Sequence, residues 1–330
     1  MKKSTYYYRT NGRCKGKRPS THTLYMGEMV TNQVVVEEIM KLIDPEYHDY
    51  GYQITTALLR QKGYKINQKK VYRLMNENNL LHPPTKKSGS LNRTFIRYRV
   101  PPLEGPFRTI EADIKYVYIH EENRNAFLIT FLCTFCRYAP VWDLQYTMKS
   151  KDIAELVYNL ISDPDVKRYM KDQKIKIVIR TDNGPQFIAK ALAEILKSLG
   201  IAHEFIQPGT PQQNAHIESF HNTVTRLVCN RNIFQNLSHA REIFNDFYFA
   251  YNETRAMKCL LNYPPKTFLK LWESGIVGIM KNKKNKEIFF FREKPHPDFG
   301  IGSSPEDLFV VNKNNIFESL VQKPLEISPV

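Results

Sequence analysis

Apolar residues at helical spacing predict three helices in the first part of the chain. The apolar stripes of the first and third helices are Val35, Ile39 and Leu42, and Val71, Leu74 and Met75. Asn32 can cap the first helix, and Asn67 can cap the third. A second helix is predicted over 52–61, where Gly63 stops it. A helix, a glycine-containing turn and a helix together predict a helix-turn-helix domain over residues 32–82.

Polar, basic segments lie on both sides of this domain. Residues 1–31 are predicted to form a basic, partly ordered arm, since they have no apolar pattern. Residues 83–104 are predicted to form an extended basic linker that could follow a phosphate backbone. A linker that is merely solvated is the alternative.

From residue 105 the pattern changes to strands that alternate with helices. The predicted strands are 109–119, 126–135, 138–144, 175–179 and 201–206, and the predicted helices are 151–161, 189–199 and a long one from about Asn214. Three strands followed by helix, strand, helix, strand and helix predict an α/β fold over residues 105–235. We expect an RNase H-like mixed five-stranded sheet flanked by helices, preceded by the helical helix-turn-helix domain.

The C-terminal part of the chain divides into two predicted segments. Residues 236–275 form a C-terminal helical extension, because 244–272 is apolar and rich in aromatic residues. Residues 276–330 form a basic tail in which short strands could build a small β module. Those strands are 287–291, 308–311 and 316–321.

The charge and the cysteines narrow the class of protein. The 330 residues carry a net charge of +15, which indicates a polyanionic partner, although ribosomal and membrane-surface proteins are also basic. Cys133 and Cys136 form a C-x-x-C inside an apolar run without a second metal-ligand pair, so we interpret them as ordinary strand residues. The five cysteines, the polar N-terminus and the lack of a membrane-length apolar run indicate a cytoplasmic protein.

Three acidic residues are the candidate catalytic groups. Asp113 lies in the first predicted strand of the core, Asp182 ends the fourth strand, and Glu218 lies on the long helix. Each acid alone could be a surface residue. However, Asp113 and Asp182 sit within apolar strands, and a buried unpaired charge is costly without a partner or a metal. Three carboxylates on separate elements are the ligands that a pair of Mg²⁺ ions requires.

Five motifs around these residues resemble one known family. D-I-K-Y contains Asp113, T-D-N-G-P-Q-F contains Asp182, and Q-P-G-T-P-Q-Q-N-A-H-I-E-S-F contains Glu218. Y-N-E-T-R with P-P-K-T-F follows them, and a helix-turn-helix segment precedes them. In this order they resemble bacterial insertion-sequence transposases of the DDE type, OrfB type, whose core is similar to retroviral integrases. The resemblance runs from about Ser4 to Phe268, and Met257 departs from the family's usual His.

The resemblance implies a DNA transposase that cleaves element ends and joins the 3′-OH to target DNA by two-metal phosphoryl transfer. It implies that Asp113, Asp182 and Glu218 are catalytic and bind two Mg²⁺ (or Mn²⁺) ions. The implied partners are terminal-repeat and target DNA, further copies of the chain on that DNA, and a small upstream-frame helix-turn-helix protein. The bacterial protein would associate with the nucleoid when bound to DNA. The alternatives are a domesticated non-catalytic DNA-binding protein, a phage or retroelement integrase, and an RNase H-type nuclease.

Further polar residues are predicted to serve the same site. The candidate DNA contacts are Gln68, Lys69, Lys70 and Arg73 in the helix-turn-helix, Lys86, Lys87 and Arg93 in the linker, and Lys115. The residues expected to orient the acids or the DNA are Asn183, Gln186, Asn214 and His221. The alternative for the helix-turn-helix domain is a small helical bundle whose basic face is merely solvated. The alternative for His221 is a structural hydrogen bond. Glu111 shares a strand face with Asp113; we expect it to be solvated or paired with a lysine, and the alternative is that it supports the metal ligands from behind.

Overall fold

The computed structural model describes residues 19–81, 103–207, 210–282 and 286–295. The chain divides into two compact units, Met1–Thr85 and Lys86–Val330. Within the described residues, no helix is long and apolar enough to cross a membrane.

The N-terminal unit contains the three predicted helices. They are α1 (Asn32–Ile43), α2 (Tyr52–Gln61) and α3 (Gln68–Glu77), and the two predicted apolar stripes are buried. Asn67 caps α3 as predicted, since its Oδ1 accepts the Lys70 N–H at 2.9 Å. The cap predicted for α1 is wrong. Thr31 occupies the cap position there, and the Asn32 amide instead donates to the Ser20 carbonyl at 3.2 Å.

Part of the predicted N-terminal arm belongs to this folded unit. Strands β1 (His22–Tyr25) and β2 (Glu28–Thr31) form a hairpin, and β1 also pairs with β3 (Tyr64–Lys65) in the order β2-β1-β3. Met26 and Gly27 both have positive φ, as a tight two-residue hairpin turn requires. The strands are four residues long and mostly exposed, so they left no clear apolar alternation in the sequence.

The second unit is built on the predicted mixed five-stranded sheet. Its strands are β4 (Thr109–Ile119), β5 (Arg124–Cys133), β6 (Val141–Gln145), β7 (Val178–Thr181) and β8 (Ala202–Phe205), in the order β6-β5-β4-β7-β8. β4, β5 and β6 pair antiparallel, whereas β4, β7 and β8 pair parallel. The RNase H-like fold is confirmed, and it makes β4 and β7 neighbours.

Helices flank this sheet. They are α4 (Ser150–Ser162), α5 (Pro164–Asp172), α6 (Lys190–Ser198), α7 (Ala215–Val224), α8 (Leu237–Glu253) and α9 (Pro265–Glu273). A 3-10 turn, Pro211–Asn214, precedes α7, and a π-helical turn, Thr225–Cys229, continues it. Helix α5 was not predicted from the sequence. It begins where the Asp163 carboxylate accepts the N–H groups of Asp165 and Val166.

The predicted helical extension is two helices, of which α8 packs on the five-stranded sheet and α9 packs on a separate two-stranded sheet. Helix α8 stacks Tyr248 on Trp142 of β6 with ring centroids 4.6 Å apart, and α9 packs Phe268 against Phe289 at 4.7 Å. The break lies at Leu261 and Asn262, which have positive φ. The predicted strand 287–291 is confirmed as β10 (Glu287–Phe291), paired with β9 (Val277–Lys281), which was not predicted. The predicted strands 308–311 and 316–321 lie outside the described residues.

The two cysteines of the C-x-x-C are core residues. Cys133 ends β5, and Cys136 lies in the turn that follows it. Both are free thiols that are fully buried among the apolar side chains of the sheet and α4.

Candidate active site

The pairing of β4 with β7 brings two of the predicted acids to one edge of the sheet. The last residues of this parallel ladder are Glu111 and Arg180. Asp113 lies two residues further along β4, and Asp182 lies two residues beyond Arg180. Neighbouring strands run about 4.8 Å apart, so Asp113 and Asp182 come from the same end of two adjacent strands, and a ladder continued past Glu111 and Arg180 would pair them.

Helix α7 brings Glu218 and His221 to the same place. The buried apolar stripe of α7 and of the π-helical turn after it comprises Ile217, Phe220, Val224 and Leu227. On the neighbouring face, His221 Nδ1 lies 3.4 Å from Asp113 Oδ2. Burial raises the pKa of Glu218, and the negative charge of Asp113 raises that pKa further. Asp113 and Glu218 are therefore close enough to repel each other.

Asp182 is held by the turn that follows β7. Its Oδ1 accepts the Gly184 N–H at 2.9 Å. A Cβ at position 184 would lie 3.0 Å from both Asp182 Oδ1 and Gln186 Oε1, so any other residue there would push these two side chains aside. Asn183 donates to the Ile206 carbonyl at 2.8 Å and so ties this turn to the end of β8.

Glu111 differs from its prediction, because it is neither solvated nor paired with a lysine. Its side chain is fully buried, and Oε2 accepts the Ile217 N–H at 2.8 Å. Burial raises the pKa of this carboxyl to about 7, and the nearby Arg137 and Arg180 limit the rise. The strand register alone gave no sign of this contact, since Ile217 is 106 residues away in the sequence.

Other buried polar atoms lie near the start of α7. Asn214 is 3% exposed, and neither its Oδ1 nor the His221 Nε2 has a hydrogen-bond partner within the described residues. Burial and the positive charges of Arg137 and Arg180 lower the pKa of His216 to about 3, so this imidazole stays neutral. Buried polar groups are normally hydrogen-bonded, so Asn214 Oδ1 and His221 Nε2 are positions where a bound molecule can supply the hydrogen-bond partner.

The donor chemistry of the three acids fits a divalent hard cation. Asp113, Asp182 and Glu218 offer carboxylate oxygens, the ligands that Mg²⁺ and Mn²⁺ prefer. A cation between Asp113 and Glu218 would relieve the repulsion that raises the Glu218 pKa. In the part of the chain that the structure describes, no three His, Cys, Asp or Glu side chains already stand at metal-binding distances.

The predicted DNA contacts in the helix-turn-helix fall into two groups. Gln68 and Lys69 are exposed at the start of α3. Lys70 donates to the His22 carbonyl at 2.7 Å, and Arg73 donates to the Ser20 carbonyl at 3.1 Å. Lys70 and Arg73 therefore also hold the N-terminal segment onto α3, a role that the sequence did not indicate.

The remaining predicted contacts lie elsewhere. Lys86, Lys87 and Arg93 are outside the described residues. Lys115 is half-buried on β4, near Cys229. Burial raises the pKa of the Cys229 thiol, and the positive charge of Lys115 partly offsets that rise. The first two residues of the Y-N-E-T-R motif are buried: the Tyr251 and Phe220 ring centroids lie 4.8 Å apart, and Asn252 bonds to the Ala139 backbone.

Comparison with protein families identifies both units. An integrase core domain matches residues 104–211, a second integrase core domain family matches 199–265, and an HTH-like domain matches 31–88. The N-terminal unit thus matches an HTH-like domain model, and the second unit matches integrase core domain models.

Several of its relatives are proteins of bacterial insertion sequences, which confirms the resemblance that the motifs indicate. The insertion element IS476 uncharacterized 39.2 kDa protein of Xanthomonas euvesicatoria is 31% identical over 66% of this chain and 60% of its own length. The transposase for insertion sequence element IS904 of Lactococcus lactis is 23% identical over 74% of this chain and 96% of its own length. The chain thus spans 60% of the length of the first relative and nearly all of the second.

Among solved structures, the HTLV-2 integrase catalytic core domain in complex with magnesium is similar to this chain. It is 18% identical, with a TM-score of 0.34, over 50% of this chain and 95% of that chain.

Proposed function

We propose that the chain is a DNA transposase that cleaves the ends of an insertion sequence and joins the exposed 3′-OH to target DNA. One observation carries the proposal. Asp113 lies close enough to Glu218 of α7 to raise its pKa, and Asp182 directly follows β7, the parallel neighbour of the Asp113 strand, in a chain that matches an integrase core domain. These are the three acids that the motifs single out.

Asp113, Asp182 and Glu218 would hold two Mg²⁺ or Mn²⁺ ions. When bound, such ions supply activation of the attacking oxygen and neutralisation of the charge that develops around phosphorus. The chain's own residues orient the carboxylates for this task. Gly184 N–H fixes one Asp182 oxygen, and the His221 imidazole lies 3.4 Å from an Asp113 oxygen.

The reaction consists of two phosphoryl transfers. Water first breaks a phosphodiester at the element end and leaves a 3′-OH, which then attacks a phosphodiester of the target and releases its 3′-oxygen. Each step forms one P–O bond and breaks another, so the acids need only hold and orient the reacting groups. We assign no side chain as a covalent nucleophile.

DNA is the proposed macromolecular partner. The net charge of +15 supports binding to a polyanion, and the exposed Gln68 and Lys69 at the start of α3 are placed as residues of a recognition helix would be. Assembly of several copies on DNA, and action with a small helix-turn-helix partner, stay predictions.

Replacing Asp182 tests the proposal. We expect Asp182→Asn to lower Mg²⁺-dependent cleavage of an element-end oligonucleotide by about 100-fold or more, because losing a ligand removes several kcal/mol of charge stabilisation. DNA binding, measured by electrophoretic mobility shift, should survive.

The matched control is Asp172→Asn, which makes the same acid-to-amide change at the exposed end of α5. It should cleave like the unmodified chain. Cleavage by Asp182→Asn at the unmodified rate would remove Asp182 from the site.

A further inference from the structure

Glu111 stands out among the buried groups because it joins the strand of one candidate ligand to the helix of another. It lies on β4, two residues before Asp113, and it is fully buried. Its Oε2 accepts the N–H of Ile217, the residue before Glu218, at 2.8 Å. That N–H lies in the first turn of α7, where backbone donors have no partner within the helix.

Glu111 is one end of a row of charged residues that crosses three strands. Arg180 of β7 is its ladder partner on one side, and Glu204 of β8 is the ladder partner of Arg180 on the other. The Arg180 guanidinium donates to Glu204 Oε2 at 2.8 Å and to the Gln213 carbonyl at 3.2 Å. The row therefore holds both the 3-10 turn before α7 and the first turn of α7 itself.

The contacts show that α7 and β4 run side by side, and that one turn of the helix covers about the same distance as two residues of the strand. Ile217 meets Glu111 at the start of the helix, and His221 meets Asp113 one turn later. Four helical residues rise about 6 Å, and two strand residues span about 7 Å. Glu218 lies between these two contacts, so fixing the start of α7 fixes the position of Glu218 relative to Asp113.

A buried acid is a costly way to fill this space. An apolar side chain of similar size would fill the same volume without the desolvation penalty of a carboxyl group, but it could not accept the Ile217 N–H. The second oxygen, Oε1, has no partner in the described part of the chain, so the contact with α7 is the main one that the acid makes there.

We propose that Glu111, supported by Arg180, is a positioning residue that holds the start of α7 so that Glu218 and Asp113 can bind metal together. The inference rests on the proposed function. Glu111 acts through the Ile217 backbone and not as a ligand.

Glu111→Met and Glu111→Gln separate this role from simple packing. Met matches the volume but accepts no hydrogen bond, whereas the Gln side-chain oxygen can still accept the Ile217 N–H. The matched control is Asp163→Met, which removes a carboxylate from the first turn of α5, a helix without candidate ligands.

The first measurement is hydrogen–deuterium exchange of the full chain without metal or DNA. In Glu111→Met the amides at the start of α7 should exchange about tenfold faster, as expected for the loss of a helix-terminal acceptor. Glu111→Gln should restore most of the protection. Asp163→Met should speed exchange at the start of α5 and around Tyr138, whose hydroxyl donates to Asp163 Oδ2 at 3.0 Å, but not at the start of α7.

The second measurement is single-turnover cleavage of an element-end oligonucleotide against Mn²⁺ concentration. Glu111→Met should raise the Mn²⁺ concentration for half-maximal rate about 10- to 100-fold, the usual effect of losing a group that orients a ligand. Glu111→Gln should stay near the unmodified value, as should Asp163→Met. If Glu111→Met does not fold, Arg180→Lys is the substitute test. It keeps the positive charge but loses the planar guanidinium that donates to both Glu204 and Gln213, so it should also raise the Mn²⁺ requirement.

The outcomes distinguish the two proposals. Faster exchange at α7 with an unchanged Mn²⁺ requirement, or unchanged exchange in Glu111→Met, overturns the positioning role while the proposed function stands. If the unmodified chain cleaves with no divalent cation, the proposed function fails and the assignment of Glu111 fails with it, whatever the exchange data show.

Discussion

Asn252 offers a test of whether the Y-N-E-T-R motif serves the fold or the site. Its side chain lies on α8 and forms two hydrogen bonds with one buried residue in the connection between β5 and β6. Asn252 Oδ1 accepts the Ala139 N–H, and Asn252 Nδ2 donates to the Ala139 carbonyl, both at 3.0 Å. Ala139 is 1% exposed, so water cannot readily replace the amide.

The geometry sets the expected cost of Asn252→Ala. Each hydrogen bond contributes about 1 kcal/mol net, and each buried backbone group left without a partner costs about 1 to 3 kcal/mol. Partial relaxation lets some water reach the backbone, so we expect the free energy of unfolding to fall by about 3 kcal/mol, within a range of about 2 to 5 kcal/mol.

Urea denaturation followed by circular dichroism measures this change, with Asn236→Ala as the comparison. Asn236 caps α8 through one bond to the exposed His239 N–H at 2.9 Å, so its loss should cost only about 1 kcal/mol. Cleavage by folded Asn252→Ala should remain close to that of the unmodified chain. A loss of stability no larger than that of Asn236→Ala, or a folded variant without cleavage, would refute a structural role for this motif.

Two further predictions concern DNA and metal binding. Lys69→Ala should lower the log–log salt slope of DNA binding by about 0.9, because Lys69 is exposed and each neutralised phosphate releases counterions; an unchanged slope would exclude a phosphate contact. Removal of divalent cations with EDTA should stop cleavage, and Mg²⁺ or Mn²⁺ should restore it, whereas Ca²⁺ should allow binding with little chemistry. Full cleavage in EDTA, or stoichiometric zinc in metal analysis of the purified protein, would contradict the metal assignment.

The long elements of the second unit were predictable because their apolar patterns are strong. The first strand was predicted as 109–119 and found at those bounds, and the helix predicted as 151–161 extends by one residue at each end. The short β6 and β7 begin three residues later than predicted. Burial extends beyond their hydrogen-bonded pairs, as Ile175 and Ile177 are buried before β7 begins, so apolar content alone does not give the bounds of a strand.

Elements stabilised by contacts distant in the sequence were not predictable. The hairpin of β1 and β2 is partly fixed by Tyr25, whose ring stacks on that of Tyr64 with centroids 4.3 Å apart. β9 exists through its pairing with β10, and its own five residues are only partly buried. Neither segment is long or regular enough to stand out without its partner, which follows from the dependence of short strands on pairing.

Asp113 and Glu111 show where prediction from the sequence ends in the site itself. Both are acids on one face of β4, and the alternation of residues along the strand does not distinguish the buried one from the partly exposed one. The side chain of Asp113 remains 26% exposed at the sheet edge beside His221, whereas Glu111 is fully buried beneath the start of α7. Their difference depends on where a helix more than one hundred residues later crosses the strand. A motif can therefore indicate the carboxylates that would bind metal, but the contact on which the proposed role of Glu111 rests becomes visible only when β4 and α7 are seen together.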